Sequence, residues 1–312
     1  MRKDDQIGGK MIPQYIKPSN EVISALNSNN PIVVLESTII AHGMPYPTNI
    51  DTALKIEEII REHGAIPATI GIIDGELKCG LSESEIKLLG TVSNVSKAGE
   101  RDIPFCLENK LTAATTVGAC LYVASQLGIK VLVTGGIGGV GPNGGITFDI
   151  SADLPAIVEY PCITVASGTK AFMDVSATLE YFETHRVPVG SFQYDYFPFF
   201  YSRSSGIKVE WSPKDANEIA QVFKRKIALG MIGGMFIGNP LPQEDGLPEE
   251  VTRKAIEVAL NKMSEEKITG KKVTPYLLNI IKEQTNGKSL QSNISLIKNN
   301  AKVGAQIAVA LL

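Results

Sequence analysis

The sequence has little of what several classes of protein need. Its 312 residues include three histidines and four cysteines, and neither type is clustered. The histidines are too scattered to suggest a histidine metal centre, and no two cysteines form a C-x-x-C pair. Each cysteine stands beside small or apolar residues, which is typical of buried reduced thiols and suits a cytoplasmic protein.

Charge of one sign and long apolar runs are also scarce. The formal net charge is -3, whereas nonspecific nucleic-acid binding needs clustered Lys and Arg, so we expect no nucleic-acid partner. No apolar run reaches the length of a membrane span, and the first dozen residues lack the apolar core of a signal peptide. We therefore expect no membrane contact, and we predict that residues 1–17 form a flexible N-terminal tail.

What the sequence does contain is an alternation of strands and helices. Strands are predicted at residues 32–35, 130–133, 163–166 and 206–211, and helices at 48–62, 112–127, 175–184 and from about Ser292 onward. This order predicts an α/β fold, a three-layer α/β/α sandwich with a central, largely parallel (mixed) sheet. No linker or internal repeat interrupts the pattern, so residues 18–312 are predicted to form one domain.

A glycine-rich segment follows the strand at 130–133. Residues 136–141 read G-I-G-G-V-G, which matches the dinucleotide-binding fingerprint in its letters. That fingerprint requires a helix directly after the strand, whereas Gly141 is followed by the turn sequence P-N-G-G. We therefore expect no nicotinamide or flavin cofactor. The glycines are either a flexible surface loop or a nest of backbone N–H groups for an anion, with the Thr134 hydroxyl beside it.

Acidic residues alternate with a serine just beyond the glycines. Asp149, Ser151 and Asp153 stand in F-D-I-S-A-D-L, a spacing that could place oxygens on one side of a hard divalent cation such as Mn²⁺ or Mg²⁺. The same spacing is also common where a serine or aspartate caps a helix. The sequence pattern leaves both interpretations open.

Two further ionisable residues follow predicted strands. Glu36 ends the first strand in V-V-L-E-S-T, and Lys170 follows the strand at 163–166 through Gly168. Taken alone, Glu36 could be a helix cap or a salt-bridge partner, and Lys170 could be a solvated surface charge. The apolar flanks of Lys170 instead favour a desolvated amine, the state of a nucleophilic lysine.

Taken together, eight segments in one order resemble the pseudouridine-5'-phosphate glycosidase family, also called the indigoidine synthase A-like family. The resemblance covers nearly all of the chain from about Pro18 onward. The segments are L-E-S-T-I-I-A-H-G-M-P-Y-P (35–47), A-T-I-G-I-I-D-G-E-L-K-C-G-L (68–81), V-T-G-G-I-G-G-V (133–140), T-F-D-I-S-A-D-L (147–154), G-T-K (168–170), T-L-E-Y-F-E-T (178–184), N-P-L-P (239–242) and S-L-Q-S-N-I-S-L (289–296).

The resemblance implies an activity and a mechanism. It implies reversible cleavage of the C–C glycosidic bond of pseudouridine 5'-phosphate to uracil and ribose 5-phosphate, through a lysine Schiff base with the ring-opened ribose. Glu36 would be the proton donor and Lys170 the nucleophile. Asp149 would hold Mn²⁺ or another divalent cation. Members of the family are typically homotrimers, so a homotrimer is expected here.

The resemblance also implies a set of substrate-binding residues. Lys97 would bind the phosphate, with Thr134 and the glycine backbone beside it. The other members of the set would line the pocket or touch the substrate: Val117, Ser151, Ala152, Asp153 and Asn293.

One departure from the family pattern lies beside these residues. Gly141 and Pro142 stand where the family usually has His-Arg. The loss of these side chains leaves two alternatives open: a Schiff-base lyase or glycosidase that acts on another phosphosugar or nucleotide, and a catalytically silent nucleotide-binding protein.

Overall fold

The computed structural model describes residues 6–7, 10–11 and 13–312. Its strands, in chain order, are Gln6–Ile7 (β1), Lys10–Met11 (β2), Ile16–Pro18 (β3), Ile32–Leu35 (β4), Ile66–Ile73 (β5), Glu76–Cys79 (β6), Ser96–Ala98 (β7), Ala113–Thr115 (β8), Val131–Val133 (β9), Ile163–Ala166 (β10), Val189–Ser191 (β11) and Met235–Gly238 (β12).

The helices alternate with these strands. They are Asn20–Asn27 (α1), Thr48–Glu62 (α2), Glu83–Thr91 (α3), Ile103–Glu108 (α4), Val117–Leu127 (α5), Gly144–Thr147 (α6), Asp153–Glu159 (α7), Val175–Thr184 (α8), Ala216–Ala228 (α9), Glu249–Glu265 (α10), Val273–Gln284 (α11) and Lys288–Ala310 (α12). A π-helical turn, Ile39–Gly43, lies between β4 and α2.

One mixed, mostly parallel sheet organises the fold. Eight of its strands follow the order β11-β12-β10-β9-β4-β5-β6-β3, and β8 joins β7 to β5 at one side. All neighbouring pairs are parallel except β5 with β6 and β5 with β8. The predicted α/β class with a largely parallel, mixed sheet is therefore confirmed.

The central strands are covered on both faces. Every residue of β4, β9 and β10 is buried, as expected of parallel strands between two helical layers. Gly304 of α12 approaches Val131 and Val133 so closely that a Cβ there would overlap the Val133 side chain. Because side chains alternate along a strand, Leu132 points to the opposite face, where α5 packs against β9 and β4. The predicted three-layer arrangement follows from this.

Several element boundaries differ from the sequence predictions. The helix predicted over 112–127 begins at Val117, because the preceding residues form β8 and the Thr116 side chain caps the helix. The strand predicted at 206–211 is reduced to one isolated bridge at Lys208. The last helix begins at Lys288, ahead of the predicted Ser292, after Gly287 in a left-handed conformation.

The N-terminal tail predicted over residues 1–17 lies partly outside the described residues, since residues 1–5, 8, 9 and 12 are not among them. Ile16 and Lys17, which that prediction placed in the tail, belong to β3 and pair with Leu77 and Lys78 of β6. The Ile16 side chain is buried in the main apolar cluster, which extends along the chain to Ala308. Within the part of the chain that the structure describes, no helix combines the length and apolar composition that a membrane crossing requires.

The close approach of α12 to β9 gives a stability test. Gly304→Ala should lower the free energy of unfolding by about 1–3 kcal/mol, because the added methyl group overpacks the contact with Val133. Urea denaturation measures the change. Gly145→Ala is the matched control, since no atom would meet its new Cβ within 4 Å. Equal stabilities of the two variants would contradict this view of the interface.

Candidate active site

Three adjacent parallel strands end at the same edge of the sheet. The register pairs Leu35 of β4 with Val133 of β9, and Val133 with Val165 of β10. The residues that follow these strands therefore emerge side by side, as the carboxyl ends of parallel strands do in α/β folds. Glu36 and Thr134 come directly after β4 and β9. Lys170 comes four residues after the end of β10.

The Glu36 carboxyl group is buried and hydrogen-bonded. Its Oε2 accepts from the Thr38 hydroxyl and from the Ile39 N–H at 3.2 Å, and its Oε1 lies 3.4 Å from the Thr134 hydroxyl. Burial raises the pKa of Glu36, an effect that the Thr38 hydrogen bond and the Lys170 charge only partly oppose. The carboxyl group therefore keeps its proton to higher pH than an ordinary glutamate, as a general acid requires.

The loop after β10 turns Lys170 back toward the same edge. Gly168 makes this turn in a left-handed conformation (φ 83°), and a Cβ there would overlap the Pro198 carbonyl. The half-buried Lys170 donates from Nζ to the Gly136 carbonyl at 3.0 Å. The Phe200 ring packs against Gly136, where it leaves no room for a Cβ. The amine is thus held beside the glycine segment.

Asn300 of α12 fixes these loops relative to one another. It is fully buried, and its Nδ2 donates to the Thr134 carbonyl at 2.8 Å. Its Oδ1 accepts from the Ser167 hydroxyl at 3.2 Å and from Asn239 Nδ2 at 3.0 Å. One amide side chain therefore joins the segments that follow β9, β10 and β12.

Asp153 holds the glycine segment in place. Its Oδ2 accepts from the Gly138 N–H at 2.8 Å, and its Oδ1 accepts from the Gly118 N–H of α5 at 3.0 Å. The Ser151 side chain packs so closely on Gly138 that a Cβ there would overlap it. Of the two interpretations that the D-x-S-x-D pattern left open, the geometry favours backbone binding for Asp153. Its predicted contact with substrate stays a prediction.

The segment after β9 lacks the geometry of a dinucleotide fold. The next helix in the chain, α6, starts at Gly144 and spans 4 residues. It therefore does not begin within the G-I-G-G-V-G fingerprint, as a pyrophosphate-binding helix would. Instead, Ile137 pairs with Thr169 in an isolated bridge that extends the β9–β10 edge.

Two cavities meet at this edge of the sheet, and together they contain every predicted site residue. The first, the reaction cavity, is lined by Glu36, Lys97, Thr134, Lys170 and Asn293 among others. The second, the outer cavity, is lined by Lys97, Val117, Asp149, Ser151, Ala152, Asp153 and Lys170 among others. Lys97 and Lys170 border both, so the cavities are adjacent.

The donor set for a divalent cation is small. Within the described residues, no group of three or more His, Cys, Asp or Glu side chains is placed to hold a metal ion. Asp153 commits both carboxylate oxygens to backbone N–H groups, whereas Asp149 is exposed on the outer cavity, with Oδ2 against Gly141. These residues fit a hydrated Mg²⁺ or Mn²⁺ ion bound by Asp149 and completed by water or substrate oxygens, but not an all-protein cage.

Sequence reasoning missed three residues of the reaction cavity. The Thr38 hydroxyl donates a hydrogen bond to Glu36, and the spacing of the two residues in L-E-S-T could have indicated this contact. His42 comes from the π-helical turn, and its buried Nε2 has no hydrogen-bond partner; burial and the Lys97 charge lower its pKa. Phe200 belongs to the aromatic stretch Q-Y-D-Y-F-P-F-F-Y-S-R (193–203), whose sequence alone does not distinguish subunit interface, pocket wall or core. It is pocket wall, while the neighbouring Phe197 and Tyr201 are core.

Comparison with known proteins identifies the family. The model of the indigoidine synthase A-like protein family matches residues 21–310. The chain belongs to this family. It is 51% identical over 298 residues to a pseudouridine-5'-phosphate glycosidase of Caldanaerobacter subterraneus subsp. tengcongensis, a match that covers 96% of this chain and 97% of the relative. It is 48% identical over 302 residues to the enzyme of that name from Clostridium botulinum, covering 96% and 98%.

Solved structures of the indigoidine synthase A-like family share the fold. The prealnumycin C-glycosynthase AlnA, crystallised with ribulose 5-phosphate, superimposes with a TM-score of 0.88 at 32% identity, covering 96% of this chain and 97% of AlnA. An indigoidine synthase A-like protein from Thermotoga maritima gives 0.86 at 34% identity, covering 94% and 95%. The resemblance that the sequence motifs carried is confirmed over nearly the whole chain.

Asp149 and Asp153, which both line the outer cavity, should differ in their effect on stability. Asp153→Asn replaces one acceptor oxygen with an amide NH₂ group that faces a buried N–H, so we expect a loss of about 1–3 kcal/mol in the free energy of unfolding. Asp149→Asn is the matched control and should change it by less than about 0.5 kcal/mol, because its carboxylate is exposed. Chemical denaturation compares them. An Asp153→Asn variant as stable as the unmodified protein would contradict the structural role of Asp153.

Proposed function

We propose that this protein is a pseudouridine-5'-phosphate glycosidase, which reversibly cleaves the C–C glycosidic bond of its substrate to give uracil and ribose 5-phosphate. The observation that carries the proposal is the pairing of a buried carboxyl group, whose pKa is raised by burial, with a lysine amine in one cavity, Glu36 and Lys170. The names of the relatives support the same reaction.

The reaction needs a nucleophilic amine because the leaving atom is carbon and has no lone pair to protonate. When the ribose ring opens, the Lys170 amine bonds to C1' in place of the ring oxygen, which takes up a proton. Glu36 then protonates C5 of the base, the C1'–C5 bond breaks, and the nitrogen lone pair forms the C1'=N iminium. Water hydrolyses this Schiff base, releasing ribose 5-phosphate, the free amine and one proton.

The phosphate group would anchor the substrate away from the reacting bond. Lys97 borders both cavities and can attract the dianion, while Gly139 brings backbone without a side chain to the wall of the outer cavity. Fixing the phosphate there orients C1' toward Lys170 and leaves the base in the reaction cavity, near Asn293. A bound Mn²⁺ or Mg²⁺ ion on Asp149 would add positive charge for the phosphosugar oxygens.

The proposal includes a homotrimer and a cytoplasmic location. Support for an assembly comes from the exposed apolar side chains of Ile146, Phe148 and Ile150, which lie next to the outer cavity. Support for a reducing compartment comes from the four buried cysteines, all of them free.

A second candidate keeps the lysine chemistry but changes the substrate to another phosphosugar or nucleotide. The observation that favours it is Gly141, which adds no side chain to the outer cavity and lies against Asp149. AlnA, a family structure, was solved with ribulose 5-phosphate and is named for forming a C-glycoside. Substrate choice between the two candidates would be set on the outer cavity, not at Lys170.

The proposed function is tested by uracil release from pseudouridine 5'-phosphate in the presence of Mn²⁺. The unmodified protein should release uracil, and Lys170→Arg and Lys170→Ala should both reduce kcat by at least about 10²-fold, because neither side chain can form an iminium. Lys208→Arg, a lysine on the remote bridge with Tyr196, is the control and should keep full activity.

Two results would decide against the proposal. No uracil release by the unmodified protein would favour another phosphosugar or a silent binding protein. Full activity of Lys170→Arg would remove lysine from the chemistry. Release of uracil from uridine 5'-phosphate, an N-glycoside, at an equal rate would also contradict the assigned bond.

Metal dependence has its own test. Chelation by EDTA should lower the rate of uracil release, and added Mn²⁺ should restore it. Asp149→Asn should need a higher Mn²⁺ concentration for half-maximal rate, because it removes the charge of an exposed carboxylate on the outer cavity. Asp51→Asn, on the exposed side of α2, should behave like the unmodified protein. A rate of uracil release that EDTA does not change would contradict the proposed role of Asp149 as a metal ligand.

A further inference from the structure

A small cavity lies beside Glu36, next to the reaction cavity, with which it shares Glu36, Ile39 and Thr134. Its walls are mostly apolar side chains from β4, α2 and α12, but Glu36, Thr69 and Thr134 also line it. Thr69 on β5 pairs with Leu35 on the neighbouring strand β4, and Leu35 directly precedes Glu36 in the chain. Thr69 and Thr134 are each 2% exposed.

The cavity has room for one water molecule. It leaves about 10 Å³ for the centre of a water-sized sphere, which is close to the minimum for a single water. A buried water also needs two to four polar partners, and the carboxyl group and two hydroxyl groups of this cavity supply them. A water molecule here would therefore touch both Glu36 and Thr69.

Thr69 connects the cavity to a second buried carboxyl group. Its hydroxyl donates to Glu57 Oε1 at 2.5 Å, and Glu57 is half-buried on α2. Beyond Glu57 lie Arg61 of α2 and Glu21 of α1, which are paired at the surface. The chain of polar groups thus runs from Glu36 along the face of the sheet that α2 covers, and from there to solvent.

We propose that Glu57, Thr69 and a water molecule in this cavity form a proton relay that returns protons from solvent to Glu36. The inference rests on the proposed function, in which Glu36 gives its proton to the base in every cleavage. Substrate then fills the reaction cavity. The small cavity lined by Glu36, Thr69 and Thr134 provides a second route, which remains open during turnover.

The proton balance of the relay is simple. The Glu36 carboxylate takes a proton from the water, the water takes one from the Thr69 hydroxyl, and Thr69 takes one from the Glu57 carboxyl group. Solvent then protonates Glu57, so one proton has moved from solvent to Glu36 in place of the one given to C5 of uracil, and hydrolysis of the iminium later returns one proton to solvent. Burial raises the pKa of Glu57 as it does that of Glu36, so both carboxyl groups can carry a proton at a pH where an exposed glutamate cannot.

Several charged or titratable groups face the two carboxyl groups. Arg61 lowers the pKa of Glu57, and Glu21 raises it. Lys170 lowers the pKa of Glu36, whose own charge raises that of the buried Cys120 thiol. The test therefore leaves these groups unchanged and alters only members of the relay.

Three variants test the relay by uracil release. Thr69→Val keeps the shape and removes the hydroxyl, and Glu57→Gln removes the titratable proton; each should lower kcat by about tenfold, less than the about 10²-fold of a whole general acid, with KM unchanged. Thr69→Ser should restore the rate. The double variant should be no slower than either single variant, because one broken link already stops the relay. Glu58→Gln, on the exposed side of α2, is the matched control.

A second readout needs no substrate. Infrared spectroscopy can follow the C=O band of the protonated Glu36, assigned by its loss in Glu36→Gln, as its proton exchanges after mixing with D₂O. The relay requires several-fold slower exchange in Thr69→Val and normal exchange in Thr69→Ser. Unchanged exchange, or additive losses of kcat, would overturn the relay. If the unmodified protein released no uracil, the proposed function would fail. The exchange rates of Thr69→Val and Thr69→Ser would still show whether protons reach Glu36 through Thr69.

Discussion

The parallel hydrogen bonding of β4, β9 and β10 is the constraint on which the rest of the site depends. Because the three strands run in one direction and in close register, the residues after them emerge at the same edge of the sheet. Glu36, Thr134 and the loop to Lys170 are therefore neighbours in space although they are far apart in sequence. Asn300 then links the loops, so that the edge of the sheet behaves as one unit.

This placement gives the two reacting groups different surroundings within one cavity. Glu36 is buried at the end of β4 and hydrogen-bonded to Thr38, and burial raises its pKa. Lys170 is half-buried and held by a carbonyl group of the glycine segment. In the proposed mechanism Glu36 gives up its proton in each cleavage while substrate fills the reaction cavity. The small neighbouring cavity would supply the route by which that proton is replaced.

Local patterns predicted much of this architecture. The sequence predicted strands 32–35 and 163–166, helix 48–62 and the polar residues that follow the strands. These predictions succeeded because apolar runs and turn residues are local signals. Strand β8 was missed because A-A-T becomes a strand only through its pairing with β5 and β7. The sequence could not predict that Asp153 accepts hydrogen bonds from two distant N–H groups, nor that a water-sized cavity lies at Glu36. Both features arise from packing between residues far apart in the chain.

The central claim is that the Lys170 amine bonds covalently to the sugar. The most direct measurement is reduction with borohydride in the presence of ribose 5-phosphate, followed by mass spectrometry of the digested protein. The expected result is a reduced sugar-phosphate adduct on Lys170 that is absent from Lys170→Arg, with Lys97 unlabelled in both. An adduct on another lysine, or no adduct under conditions where uracil is released, would contradict the claim.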